Sequence, residues 1–336
     1  MSTASTDRVT IADIAVAAGV SVPTVSKVLN DRPGVSASTR ARITALLEEH
    51  EYTPRRSTTT GMIALVLGEL TSPWSVALVG ALEEAAHVSG LGMILTRMRS
   101  SVDESWIDLI TARAVDGVVF GVVEMSATQK KRMEELGVPY VVIDPRVMQS
   151  TDTPTVGITH WRGAWAATEH LIGLGHRRIA MVSGPLDLVF SRARVDGYRA
   201  ALSSAGISVP DDYLVETEFG YEGGRAGAER VLALPTPPSA IFAASDEQAL
   251  GVYEAARLNG MRIPEDLSVV GFNDVPIAQW ASPPLTTVHE PIDDTARESV
   301  RILRQLIDGV PTAAAVELAT EVVVRQSTAP IDEKQA

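Results

Sequence analysis

The sequence predicts an α/β protein, in which a small all-helical head precedes a two-lobed core. Three observations predict it. Residues 10–30 carry the apolar spacing and capping residues of two short helices joined by a tight turn. From Met62 onward, short apolar strands alternate with amphipathic helices in two successive series. At 336 residues the chain is long enough for more than one domain and a large core.

The head comes first. Thr10 and Asp13 have capping-box spacing, and Ile11, Ile14, Ala15 and Ala18 fall at helical intervals. Gly19 stands where a helix ends in a left-handed residue. Ser21 can cap a second helix, with Pro23 in its first turn, where a missing N–H costs little. Val25, Val28 and Leu29 give that helix an inner face. Thr24, Ser26, Lys27 and Asn30 face outward with groups that bond phosphates and bases. Two helices about a glycine turn make a helix-turn-helix, whose second helix enters a DNA major groove. An ordinary helical hairpin is the competing reading, and the next stretch counts against it. Pro33-Gly34 breaks the chain, Ser36 caps a third helix, and Ile43, Leu46 and Leu47 supply its buried face. The head therefore spans residues 1–53, followed by a basic, polar linker over 54–61.

In the core, strands are expected at Ile63–Leu67, Met93–Thr96, Gly117–Phe120, Tyr140–Ile143 and Thr155–Gly157, with helices Trp74–Val88, Asp103–Arg113 and Thr128–Leu136 between the first four. A second series has helix Gly163–Leu174, then strands Arg178–Ser183, Ala240–Ala244 and Ser268–Gly271. Helices Ser191–Ala205, Gly223–Leu232 and Gln248–Leu258 separate them. Two such series suggest two lobes with a cleft between, and α/β sheets bind ligands at the carboxyl ends of their strands. Those ends carry Glu69 to Trp74, Asp144, Ser183 to Arg194, Ser245-Asp246 and Phe272-Asn273-Asp274. Polar groups, aromatics and an arginine suit a polyol, whose hydroxyls need donors and acceptors and whose C–H face needs a ring. Read singly, the Asp, Asn and Ser residues are helix caps; their convergence on one edge raises the ligand reading.

Composition excludes several classes. There is no cysteine, hence no disulfide, thiolate zinc site or cysteine nucleophile. The opening MSTASTDRVT lacks the apolar core of a signal peptide, and no apolar run approaches the ~18 residues of a spanning helix, so a cytoplasmic protein without membrane contact is expected. The formal charge is −13, yet residues 1–60 hold seven Lys/Arg against six Asp/Glu. Acidity lies in the body. So weakly basic a head needs two copies to hold DNA well, which implies a homodimer.

The ordered motifs TIADIAVAAGVSVPTVSKVLN, VSASTR and YTP resemble the N-terminus of the LacI/GalR family of bacterial transcription regulators. The resemblance continues through LGHRRIA, SRARVDGY, ASDEQALG, VVGFND and PPLTTV, from residue 9 to about 328. It implies a periplasmic-binding-protein-like core: lobe one about 62–158 and 292–317, lobe two about 159–291 and 318–330. It also implies a repressor of carbohydrate use, with pseudo-palindromic double-stranded operator DNA and a small effector, a sugar, as partners. Val22, Pro23 and Lys27 match base-reading positions. Thr10, Ser21, Thr24, Ser26, Asn30, Ser36, Thr39, Arg55 and Arg56 are assigned to phosphates. Arg194 matches the family's effector arginine, and Asn273 replaces its usual aspartate; Glu69, Ser72, Trp74, Asp144, Phe219 and Ser245 complete the expected effector set. Trp280 is a further stacking candidate.

The linker departs from the family, being shorter and lacking a leucine between Pro54 and Leu65. A less bent operator is expected, because no leucine wedge is present. No Ser/His/Asp or metal-spaced set surrounds His176 and His289 in the sequence, so packing or loop hydrogen bonds are expected of them. No catalytic set, metal or cofactor is anticipated. A purine- or nucleoside-responsive regulator, a sugar-binding protein and a sugar enzyme are the alternatives.

Overall fold

The computed structural model describes residues 11–29, 34–50, 60–100, 102–149, 153–208, 210–310, 312–313 and 315–331. The Thr10 half of the capping box and the linker as far as residue 59 lie outside them.

The head has helices α1 (Ile11–Ala17), α2 (Val22–Leu29) and α3 (Ala37–Glu49). The turn after α1 closes as sequence analysis expects. Gly19 has φ +60°, the Val20 N–H bonds the Ala15 carbonyl, and the Gly19 N–H bonds the Val16 carbonyl. This paired closure needs a left-handed residue, which only glycine adopts without penalty. Ile14, Ala18, Val25 and Ile43 meet in one buried cluster, with Val20, Leu46 and Leu47 packed against it. Full burial of each large aliphatic contributes roughly 1.5–3 kcal/mol, so this small core rests on few side chains.

The core begins with β1 (Met62–Leu67), α4 (Pro73–Val88), β2 (Gly92–Arg97), α5 (Ser105–Ala112), β3 (Gly117–Gly121), α6 (Ala127–Leu136), β4 (Tyr140–Ile143) and β5 (Thr155–Ile158). The chain then crosses to α7 (His160–Gly173), β6 (Ile179–Ser183), α8 (Val189–Ser204), β7 (Leu214–Glu216), α9 (Tyr221–Leu232), β8 (Ala240–Ala243), α10 (Asp246–Leu258), β9 (Ser268–Asn273), α11 (Pro276–Trp280) and β10 (Thr286–His289). It returns through α12 (Ile292–Ile307) and β11 (Ala315–Leu318), and crosses once more to β12 (Glu321–Val323).

Two six-stranded sheets result, in the orders β11-β5-β4-β3-β1-β2 and β12-β10-β9-β8-β6-β7. All strand pairs are parallel except β10 with β12. In the first lobe Ile63, Leu65 and Leu67 of β1 pack on Leu78 and Leu82 of α4 and Val300 and Leu303 of α12. In the second, alternate residues of β6 enter different cores: Ala180 and Val182 on one face, Ile179 and Met181 on the other. A parallel strand covered on both faces reads as an unbroken apolar run, which is why β1, β3 and β6 are legible in the sequence. β7, α11, β10, α12, β11 and β12 are not anticipated there. β7 and β12 are three residues long, and TTVH of β10 follows two prolines.

The segment after β12 is pinned to the second lobe. His176 bonds the Ser239 and Ser268 hydroxyls at 2.9 and 3.0 Å, His170 bonds Thr328 at 2.9 Å, and the Ile331 N–H bonds the Leu174 carbonyl. The expected structural part for His176 is the one observed. Burial holds both imidazoles below the usual histidine range. A histidine kept neutral when folded binds its proton first in the unfolded chain, so stability is lost as pH falls below about 6.5. Urea midpoints of the wild-type chain should therefore drop between pH 7.5 and 5.5, and drop less steeply in His176→Gln. Identical slopes would mean that His176 does not set the acid sensitivity.

Candidate ligand cleft and nucleic-acid interface

Between the strand ends of the two core sheets lies a cleft of about 900 Å³. All eight residues expected to meet a ligand line it: Glu69, Ser72, Trp74 and Asp144 from the first lobe, Arg194, Phe219, Ser245 and Asn273 from the second. Parallel β-α topology explains the convergence, because each sits at or just beyond the end of a strand or in the first turns of the following helix. The backbone is strained at the same rim. Val122, Asp144 and Asn273 have φ of +50°, +41° and +111°. Each such residue costs on the order of 1–3 kcal/mol, a strain that clusters at functional sites.

The floor is a polar network shared by the lobes. Arg194 is buried, its guanidinium 3.8 Å from the centre of the Phe272 ring. It donates from Nη1 to the Ala244 carbonyl at 2.6 Å and from Nη2 to Nδ1 of His160 at 3.3 Å. Its Nε has no partner among the described residues, nor has the neighbouring Ser191 hydroxyl. Burial pulls its pKa down to about 10, partly offset by Glu290, Asp144 and Asp246, so it stays charged near neutrality. Opposite it, the buried Glu290 accepts from the Trp74 indole at 2.8 Å and from the Asn273 amide at 2.6 Å. Burial, and then the nearby Asp144, push the Glu290 carboxyl above the usual range. Asp144 in turn accepts from His160 at 3.0 Å.

Sequence reasoning missed Glu290 and His160. Had TTVH been recognised as a strand, its carboxyl end would have pointed to Glu290, which follows a residue paired with Asn273. His160 opens α7 at a lobe crossing and leaves no comparable mark.

At the mouth, Glu69 accepts from Thr71 and from the Ser72 N–H at 2.9 Å. Burial raises its pKa, but these hydrogen bonds outweigh it and the carboxyl ends below the usual range. The Glu247 carboxyl is raised by burial and by Glu69 across the opening. Ser72 and Ser245 cap α4 and α10, accepting from the Ser75 and Gln248 N–H at 3.1 Å, so capping and wall-forming coincide in them. Phe219 lies against Gly184, where a Cβ would fall 2.1 Å from the ring; only glycine lets this aromatic into the wall. Asp246 does not face the cleft. It is buried, bonds Thr287 and the Val275 N–H, and burial pushes its carboxyl up to about 8. Trp280 is not a stacking residue: it is 77% exposed and outside the cleft, because α11 carries it away from Asn273.

On the head, Lys27 is exposed on α2. The Ser21 and Thr24 hydroxyls bond each other at 2.9 Å. Ser36 caps α3, accepting from the Thr39 N–H at 3.2 Å and bonding its hydroxyl at 2.8 Å. Ser36 doubles as a cap; Ser21 and Ser36 are exposed, and Thr24 and Thr39 half-buried. The side chains of Val22, Pro23 and Ser26, and all of Thr10, Asn30, Arg55 and Arg56, lie outside the described residues. Among the described residues no cluster of acidic or histidine side chains is placed to hold a metal, and no helix is long and apolar enough to cross a membrane.

Comparison with known proteins gives a consistent pattern. Residues 10–55 match the bacterial regulatory proteins, lacI family, and residues 168–328 match a periplasmic binding protein-like domain. The HTH-type transcriptional regulator DegA of Bacillus subtilis (strain 168) is 33% identical over 97% of this chain and 99% of its own. A transcriptional regulator CelR–cellobiose complex superposes with TM-score 0.74 at 33% identity, covering 95% of this chain and all of that one. A lac repressor dimer bound to operator and the anti-inducer ONPF gives TM-score 0.71 at 27% identity, over 96% of this chain and all of that one. These relatives are regulators, not enzymes.

The floor yields a test of its electrostatics. A carboxyl whose folded pKa is raised stabilises the fold below its unfolded value near 4.3, and that contribution is lost as pH rises. Relative to wild type, Glu290→Gln should thus gain melting temperature steadily from pH 4.5 to 7. A difference independent of pH would show that burial does not penalise the Glu290 charge.

Proposed function

The chain belongs to the LacI family of bacterial regulatory proteins, and from that premise we propose that it is a homodimeric repressor of a carbohydrate-utilisation operon, released from or held on a pseudo-palindromic operator by a sugar in the interlobe cleft. The observation that carries the ligand half is that all eight residues expected from the strand ends and the family resemblance line one cleft. Their chemistry suits a polyol. Arg194 and Asn273 offer donors, Asp144 and Glu290 acceptors, and Trp74 and Phe219 apolar faces. The lining holds six carboxylates (Glu69, Glu124, Asp144, Glu218, Glu247, Glu290) against three arginines (Arg99, Arg146, Arg194). That balance favours an uncharged sugar over a phosphorylated sugar or nucleotide. The cellobiose bound to a similar regulator supports the same class.

The DNA half rests on the exposed α2 face. Lys27 is assigned to a base edge together with Val22 and Pro23, while Ser21, Thr24, Ser36 and Thr39 are assigned to phosphates. Residues 1–53 are the DNA-binding head, 54–61 the linker, and 62–330 the effector and dimerisation core. A protein that acts on operator DNA is, on this proposal, cytoplasmic. Dimerisation is supported by apolar side chains left in water on the core: Val76 on α4, Leu95 on the sheet-edge strand β2, and Trp280 at 61%, 41% and 77% exposure. Such groups mark an association surface where they form one contiguous patch, which makes these three the residues to test.

Mobility shifts of the chain's own promoter DNA, with excess unrelated competitor, test the reading. Specific retention is expected. Lys27→Ala should weaken the cognate site by about 1–3 kcal/mol and relax one base position. An equal loss on every sequence would reduce Lys27 to a phosphate contact, and no specific retention by wild type would remove the regulator reading. Sedimentation should give a dimer for wild type and a shift toward monomer for Trp280→Asp; an unchanged dimer takes Trp280 out of the interface.

A further inference from the structure

Behind the cleft wall, His160 joins three features of the two lobes. It opens α7, directly after the chain crosses between lobes at Thr159. One nitrogen meets first-lobe Asp144 at 3.0 Å, and the other meets second-lobe Arg194 at 3.3 Å. Its ring lies between Phe190 and Phe272, with centroids at 5.7 and 6.1 Å, and Phe272 also carries the Arg194 guanidinium at 3.8 Å. A guanidinium can only donate, so Nδ1 must accept and the ring proton must sit on Nε2, where it donates to Asp144. The imidazole is thereby fixed in one tautomer and one orientation, with a carboxylate of one lobe on its far side and the arginine of the other on its near side.

We propose that His160 is the positioning residue that makes the seat of Arg194 depend on how the lobes are arranged, by relaying Asp144 of the first lobe through its Nε2–H and Nδ1 to the second-lobe guanidinium. The inference rests on the regulator reading above, in which Arg194 meets the sugar. When the lobes part, Asp144 leaves the ring, only Arg194 then favours the Nε2 tautomer, and the Nδ1 acceptor loses the orientation that Asp144 gave it. When they approach, the acceptor is restored and the guanidinium is aimed. Binding at Arg194 and lobe arrangement then share one free energy, which is what a ligand needs in order to shift a two-state equilibrium. The charged groups that face the ring and its two partners are Asp144, Arg194 and, through them, Glu290 and Asp246. Other residues with a donor and an acceptor can do the same work; a ring without nitrogens cannot.

The chain has no cysteine, so a single label pair can report lobe separation. Thr128→Cys on α6 and Leu258→Cys on α10, both exposed and one on each lobe, carry nitroxides in full-length chain diluted with unlabelled chain. Pulsed electron resonance gives the distance distribution for wild type, His160→Gln and His160→Phe. Wild type and His160→Gln should share one dominant distance. His160→Phe keeps the packing but loses both hydrogen bonds, and should raise the population at other distances by on the order of tenfold. Two results overturn the proposal: His160→Phe matching wild type, or His160→Gln displaced as far as His160→Phe. Nitrogen-15 imidazole spectra of wild type, with the His160 signal identified by its loss in His160→Gln, must show the proton on Nε2 at pH 8. A proton on Nδ1 overturns the proposal even if His160→Phe fails to fold. Both readouts use the chain without DNA or sugar, whereas the regulator reading stands or falls on operator binding, so either can fail alone.

Discussion

The core is built around a charge kept out of water. Arg194 sits on Phe272 with one hydrogen bond to backbone and one to His160, and its counter-charges Asp144 and Glu290 bond other groups. Burying a guanidinium and two carboxylates costs several kcal/mol per ion unless their hydrogen bonds are satisfied. Much else follows from satisfying them. Trp74 and Asn273 must reach Glu290, Asp144 must adopt a positive φ, and the strand ends of both lobes must stay in register. Two buried groups keep unfilled capacity among the described residues: Arg194 Nε, on a residue that lines the cleft, and Ser191 Oγ one turn earlier, outside the lining.

How much of this was legible in the sequence depends on the range of the signal. The head was readable because its core uses local periodicity: Ile14, Ala18, Val25 and Ile43 announce their faces within single helices. The cleft residues were readable for a topological reason, since any polar residue beyond a parallel strand is a candidate once the strand is recognised. Glu290 escaped because its strand did, and His160 because its partners are 16 and 34 residues away, in elements that only the tertiary fold joins. Trp280 misled for the opposite reason. It lies close to Asn273 in sequence, but α11 turns it outward. Asp246 looked like a strand-end ligand and is instead a buried strut between Val275 and Thr287.

The cleft and the head also differ in electrostatic character. The cleft holds an excess of carboxylates, two of them buried near one another, while the head is nearly neutral and its exposed α2 face carries Lys27. An acidic body repels the DNA backbone at any sequence, so affinity has to come from specific contacts. Such a distribution limits loss of the protein to non-cognate DNA.

The three crossings between lobes set an order of synthesis. The first sheet lacks β11 until residues 315–318 are made, and the second lacks β12 until residues 321–323 follow. The first sheet is complete only at residue 318 and the second only at residue 323, so both lobes stay open until almost all of the core has been made. A nascent chain halted near residue 310 holds two open sheets, each with an unpaired edge beside β5 or β10. Such edges pair readily with other strands. A chain that stops before residue 315 therefore leaves both sheets open at once.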